Sequence, residues 1–382
     1  MQFRDLQKQY KVMKHQIDAA MVGVATAAHF ISGSEVNELE KALAEYVGVK
    51  HCITCANGTD AISIAMRAWG IGKGDAVFVP DFTFFSSGEC PADEGATPIF
   101  VDVDHRTYNL DSMKLEEAVQ KVIDEGKYKP RAVVAVDLFG LPADYPAIKA
   151  VCKKYGLLLL EDGAQGFGGN INGKQACSFG DISTTSFFPA KPLGCYGDGG
   201  AIFTDNDEWA NLIRSICVHG KDTSNPNALD AKYNNIRLGK NSRLDTIQAA
   251  ILLTKFKAFK DYELEDINKV AKWYTELLKD TELVLPEIKK GFYSSWAQYT
   301  VQLPECIDRK ELQEKLNAAD IPSMVYYAKP MHLQGAFAET DSSVAYCPVT
   351  EKLCTAVLSL PLDPYKTEEE IDFVVAEIKK AL

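Results

Sequence analysis

The sequence predicts an α/β fold: a mainly parallel central sheet flanked by helices, followed by a smaller α+β unit. Three observations carry this. From residue 51 onward, short β-branched runs alternate with helix-like stretches, the rhythm of βαβ units. Residues 156–160 (GLLLL) are apolar at consecutive positions, as expected of a strand covered on both faces. Between Leu244 and Asp280 apolar residues recur at helical spacing (Leu244, Ile247, Ile251, Phe256, Phe259, Ile267, Val270, Trp273, Leu277), and segments of mixed type follow.

The first thirty residues read as an amphipathic helix, and Ser34-Glu35 as the Ser cap and acidic first turn of a second. The alternation then runs HCITCAN, TDAISIAMRAWG, AVFVP, TPIFVDVD, RAVVAVDLFG, YPAIKAVCKKYG, LLLLED, STTSFF and GAIFTD. The domain crossover is placed inside the long helical segment, giving a large domain over residues 1–250 and a small one over 251–382. AQYTVQL, ELQEKLNAA and EEEIDFVVAEIKKAL supply the strand and helices of the small unit.

At 382 residues, 46% apolar and 25% charged, the chain has the balance of a globular protein with a sizeable core. Lys plus Arg (41) against Asp plus Glu (53) leaves a net charge of −12, and no basic cluster offers a face to a phosphate backbone, so nucleic acid is not expected as a partner. No apolar stretch approaches the length that spans a bilayer, and the first residues lack the apolar core of a secretory signal; no membrane partner and a cytoplasmic location are expected. Ten cysteines then read as reduced, mostly buried thiols. The pair Cys52-Ile-Thr-Cys55 has no second pair to complete a tetrahedral metal site, so no metal is expected.

Common nucleotide motifs fail. There is no GxxxxGK[ST], and Gly70-Ile-Gly72-Lys-Gly74 precedes a strand instead of opening a helix. Asn57-Gly58-Thr59-Asp60, by contrast, joins a strand to a helix, where free amides, the helix dipole and the Thr59 hydroxyl converge on one anion site; helix capping is the plainer use of the same residues. Asp162, in Glu161-Asp162-Gly163-Ala164-Gln165, leaves the buried strand at its carboxyl end, where burial calls for a cationic partner; it too could serve as an ordinary cap. Lys191 stands between two prolines in Ser186-Phe187-Phe188-Pro189-Ala190-Lys191-Pro192, followed by a glycine-rich turn. A lysine held on so rigid a loop is suited to Schiff-base chemistry with a carbonyl compound, against the alternative of a surface charge. Lysine, carboxylate, helix start and an apolar face from Phe84 are together what pyridoxal 5′-phosphate requires: a partner for its aldehyde, one for its ring nitrogen, one for its phosphate and one for its ring.

These stretches, with FRDLQKQY, CANGTDAI, EDGAQGFGG, TSFFPAKPLGCYGDGGAIF, LGKNSRLDTIQAAIL and LSLPLDPY, resemble the DegT/DnrJ/StrS family of pyridoxal-phosphate-dependent nucleotide-sugar aminotransferases, of fold type I. The resemblance runs along nearly the whole chain. It implies that Lys191 holds the cofactor's aldehyde, Asp162 its ring nitrogen, Gln165 the ring and its 3-hydroxyl, and Phe84 the ring face. Gly58, Thr59 and Ser186 would hold the phosphate, and Asn241 would reach the phosphate of the neighbouring subunit, implying a homodimer with shared sites. L-glutamate is the implied donor and a nucleotide-linked keto sugar the acceptor. The region around Lys191 is most similar to enzymes that aminate 3-keto UDP-N-acetylglucosaminuronic acid for bacterial surface polysaccharides. Where that subgroup carries a His-Tyr pair, this chain has Tyr326-Tyr327, with His332 following; these three and Arg243 are the substrate-binding candidates. The alternatives are a 4-keto-6-deoxy sugar or aminocyclitol acceptor, or a non-catalytic pyridoxal-phosphate-binding regulator.

Overall fold

The computed structural model describes residues 1–223 and 233–382. The apolar runs become strands β1 (His51–Cys55), β2 (Asp75–Pro80), β3 (Thr97–Val101), β4 (Lys129–Val136) and β5 (Leu158–Asp162). A short hairpin, β6 (Asn170–Ile171) and β7 (Lys174–Gln175), stands outside the main sheet, and β8 (Ile182–Ser186) and β9 (Gly200–Thr204) complete it. The order is β1-β9-β8-β5-β4-β2-β3. Only β9 runs antiparallel to its neighbours, so β1, β2, β5 and β8 all end on the same edge of the sheet. That edge is where a parallel sheet presents its ligands.

Both faces are covered. Helices α1 (Leu6–Ala27) and α2 (Ser34–Val47) precede β1, and α3 (Gly58–Ala68), α4 (Ser86–Asp93) and α7 (Asp207–Cys217) pack over Val134, Val136 and Leu160. The alternate residues Val133, Ala135 and Leu159 face α5 (Ser112–Glu125) and α6 (Tyr145–Tyr155). α2 and α8 (Thr246–Ala258) cover the β1–β9 end, and α1 lies on α8 through Met13, Ile17 and Ile251. This double burial explains why the strand sequences are apolar at successive positions.

α2 starts one residue differently from the sequence expectation. Gly33, not Ser34, occupies the cap; Ser34 Oγ lies 3.3 Å from Glu35 Oε2 and caps nothing. The reason is tertiary. A Cβ on residue 33 would lie 2.6 Å from Thr246 Cγ2, and the Gly33 amide donates to Thr246 Oγ1 at 3.0 Å.

The long helical segment is α8, a π-turn over Phe259–Glu263 and α9 (Leu264–Leu278). Phe259 belongs to the cluster with α2 and α8; Ile267 and Val270 belong to another with the antiparallel pair β11 (Tyr299–Gln302) and β12 (Val357–Leu360) and the helices α10 (Arg309–Ala318) and α12 (Glu368–Ala381). β10 (Phe292–Tyr293) pairs with β6, and α11 (Pro348–Ala356) sends Leu353 and Cys354 back to the central-sheet cluster. The segment before α1 is pinned to the smaller cluster: the Leu362 amide donates to Phe3 O at 2.9 Å and the Asp5 amide to Asp363 Oδ2 at 3.0 Å. All ten cysteines are free, and Cys306 is the exposed one. Among the described residues no helix is long and apolar enough to cross a membrane.

Candidate active site

Four strand ends build the site. At the end of β1, the Asn57 side chain accepts the Asp60 amide at 2.7 Å and so caps α3, and the Gly58 and Thr59 amides at the helix start find no acceptor among the described residues. Capping and anion binding therefore coexist here. A Cβ on Gly58 would fall 2.7 Å from the Ser186 Cβ at the end of β8, so only glycine lets these two strand ends close into one cradle. Thr59 Oγ1 lies 2.7 Å from Ser86 Oγ, which ties the cradle to the start of α4.

The neighbouring residue, Ser87, donates to Asp162 Oδ2 at 3.0 Å, and the Ala164 amide reaches Asp162 Oδ1 at 3.1 Å. Asp162 is 6% exposed with these two neutral donors, and burial raises its pKa above the ordinary carboxylate value against the pull of the Ala164 amide and the Lys191 charge. A carboxylate so placed gains most from a cation in front of it. Lys191 follows β8 in a loop closed by its own amide on Phe188 O (2.9 Å) and by the Cys195 amide on Phe187 O (2.7 Å). Its amine makes no hydrogen bond or ion pair among the described residues. Burial lowers its pKa, Asp162 opposes that fall, and Arg4 adds to it.

Gln165 is buried; Phe139 donates its amide to Oε1 at 2.8 Å and Gln165 Nε2 donates to the Tyr327 hydroxyl at 3.1 Å. Tyr327 thus reaches the same floor as Asp162, and burial pushes its hydroxyl pKa up. Tyr326 lies farther out, its ring edge-on to Phe3 at 6.3 Å. Phe84, between β2 and α4, is 54% exposed and free to cover a ring at the strand ends.

The remaining candidates lie apart from this cluster. Asn241 and Arg243 stand in the loop before α8, which docks through the Ala56 amide on Ser242 Oγ (3.1 Å) and through Lys240 Nζ on Asp60 Oδ1 (3.4 Å). Asn241 is exposed, and neither side chain has a polar partner among the described residues. His332 is 4% exposed: its ring Nδ1 lies 2.7 Å from Asp81 Oδ2 and its amide donates to Asp81 Oδ1 at 2.8 Å. This pairing fastens the segment after Tyr327 to the end of β2. Sequence reasoning missed Ser87 and Arg4; two adjacent serines opening a helix behind Phe84 were a usable signal for the first.

The residues fit pyridoxal 5′-phosphate. The glycine cradle beside Ser186 leaves room for a phosphate, Asp162 lacks a cation, and Lys191 lacks a partner. A parallel sheet gathering these groups at its strand ends defines a pyridoxal-phosphate-dependent enzyme of fold type I. The chain belongs to the DegT/DnrJ/EryC1/StrS aminotransferase family, whose profile matches residues 11–379. It is 43% identical over 377 residues to the UDP-2-acetamido-2-deoxy-3-oxo-D-glucuronate aminotransferase of Pseudomonas aeruginosa, covering 99% of each chain. A pleiotropic regulatory protein of Geobacillus stearothermophilus is 42% identical, with 98% of this chain and 96% of that one covered. The crystal structure of a DegT/DnrJ/EryC1/StrS aminotransferase from Brucella abortus superposes with a TM-score of 0.94 at 44% identity, over 100% of this chain and 99% of that one.

Proposed function

We propose that this aminotransferase moves an amino group from L-glutamate to the keto group of a nucleotide-linked sugar, with 3-keto UDP-N-acetylglucosaminuronic acid as the leading acceptor. The observation that carries the reading is the convergence of a partnerless Lys191 and a cation-seeking Asp162 beside the Gly58–Ser186 cradle. The acceptor is inferred from the Pseudomonas aeruginosa relative, which aligns end to end.

Pyridoxal phosphate, when bound, supplies a carbonyl that exchanges amino groups and a ring that draws off the electron pair left by proton loss. Gly58, Thr59 and Ser186 would hold its phosphate through the two unspent amides and the hydroxyls. Asp162, kept in place by Ser87 and Ala164, would keep a proton on the ring nitrogen. Gln165, braced by Phe139 and Tyr327, would sit against the ring, and Phe84 would exclude water from its outer face. Lys191 would bind the carbonyl and, once the donor displaces it, take the proton from the donor's α-carbon. A lowered amine pKa suits it to that task, because the neutral amine is the base. Two substrates would then use one site in turn.

Asn241 would reach the phosphate at the neighbouring subunit's site in a homodimer, a reading supported by an exposed polar side chain on a docked loop, and half-buried Arg243 would bind substrate. Tyr326 and Tyr327 would face the acceptor, while His332, held by Asp81, would position their loop. We place the enzyme in the cytoplasm, in keeping with its ten free thiols. The test is the absorbance of the purified holoenzyme before and after L-glutamate, then after a panel of keto sugars. A cofactor band that shifts with glutamate and returns with the 3-keto uronate supports the proposal. No shift with any amino donor would turn the reading toward a regulator, the role named for the Geobacillus relative.

A further inference from the structure

Six of the eight arginines spend their guanidinium on an acidic side chain, a hydroxyl or a carbonyl of the chain itself. Arg243 and Arg4 are the two that do not, among the described residues. Arg243 is already a substrate-binding candidate. Arg4 lies 187 residues from Lys191 in sequence, the difference of their numbers, yet its charge is felt at that amine.

The surroundings of Arg4 are built. Its backbone is pinned on both sides, by Phe3 O on the Leu362 amide and by the Asp5 amide on Asp363. Its side chain lines a small cavity with Pro192, Glu263, Ser295 and Pro364, the residue after Lys191 forming one wall. Nη1 is fully buried and has no hydrogen-bond partner. The two carboxylates that act on its charge are engaged elsewhere. Glu263 Oε1 accepts Gln9 Nε2 at 2.7 Å and the Tyr365 hydroxyl at 2.5 Å. Asp363 takes the Asp5 and Tyr365 amides at 3.0 and 2.9 Å and lies 3.2 Å from Lys366 Nζ. Both acids moderate the Arg4 charge through space, but neither pairs with it.

An arginine Nη1 buried without an acceptor is costly, and the planar guanidinium fork matches a carboxylate in a bidentate pair. We propose that Arg4 binds a substrate carboxylate, the α-carboxylate of the amino donor. This rests on the aminotransferase reading above. The donor's nitrogen must take the place of the Lys191 amine, and its α-carboxylate is two bonds from that nitrogen, so a cation beside Lys191 is where the carboxylate arrives. A uronate sugar also carries a carboxylate, and the test separates the two.

The test uses holoenzyme of the wild type, Arg4→Met and Arg4→Lys. Calorimetry measures the Kd of glutarate, a dicarboxylate that cannot react; cofactor absorbance measures half-saturation by L-glutamate and, separately, by the keto sugar. Arg4→Met is expected to weaken glutarate and glutamate by about tenfold or more, as loss of a charge-assisted pair implies. The effect falls on half-saturation more than on the rate at saturation, and Arg4→Lys recovers part of it. Weakening of the sugar alone overturns the donor assignment and gives the carboxylate to the uronate. Wild-type constants in a folded Arg4→Met protein overturn the inference altogether. Glutarate binding that Arg4→Met weakens, in an enzyme that gives no shift with glutamate, breaks the aminotransferase reading and leaves carboxylate binding by Arg4 standing.

Discussion

Glu161 and Asp162 are neighbours on β5, and strand alternation sends them to opposite faces of the sheet. On the face covered by α5 and α6, Glu161 accepts the amides of Cys177 (2.5 Å), Phe179 (2.6 Å) and Gly180 (3.1 Å) and the Ser183 hydroxyl (2.8 Å). Asp137, at the end of β4, lies against it, takes the Tyr145 hydroxyl (2.6 Å) and the Ala143 amide (3.0 Å), and leaves Oδ2 without a donor. Burial and the Glu161 charge raise the Asp137 pKa well above the usual range, so Asp137 is the protonated member. On the other face Asp162 has two donors. The same chemical group, one residue apart, takes four donors on one face of the sheet and two on the other.

Substitutions sharpen that contrast. Lys191→Ala should have the largest effect, a loss of turnover on the order of 10²–10⁴-fold with an unchanged melting temperature, because the amine supports nothing in the fold. Near wild-type turnover would remove Lys191 from the mechanism. Asp162→Asn should lower kcat by roughly 10²-fold or more while stability holds, and Glu161→Gln should do the reverse, costing about 3 kcal/mol in a denaturant titration because backbone donors lose their acceptor. If both variants behaved alike, the division between the faces would be wrong. Gly58→Ala should weaken cofactor binding by about tenfold, read by titrating the apoprotein, since the new methyl must displace Ser186.

The smallest effect is one of pH. The native state keeps a proton on Asp137 that the unfolded chain releases at the ordinary carboxylate pKa of about 4. Between that value and the raised folded one, the native state binds more protons, so stability falls as pH rises. Asp137→Asn, which imitates the protonated form, should flatten the decline in melting temperature over about pH 5–8. An unchanged slope would assign the decline to other groups.

Much of this architecture was legible from local pattern. Strands buried on both faces declare themselves by consecutive apolar residues, and Asn57, Asp162 and Lys191 stand in short motifs whose chemistry is local. What escaped depends on distant partners. The start of α2 is set by Thr246, more than two hundred residues on, and Ser87 meets Asp162 across 75 residues. The partner of His332, Asp81, stands 251 residues away and was invisible in sequence. Arg4 stands inside FRDLQKQY, but an arginine in a polar N-terminal stretch reads as solvated until its neighbours are known.

The distribution of thiols has a practical consequence. Burial raises the thiol pKa at Cys52, Cys55, Cys177 and Cys217, so these sulfurs stay protonated and shielded from electrophiles. Cys306, on the turn that leads from β11 into α10, is the accessible one. A maleimide dye added to the native enzyme should therefore attach at that one position without any engineered mutation. It would sit on the β11–β12 unit and report on the surroundings of that turn as donor and acceptor come and go.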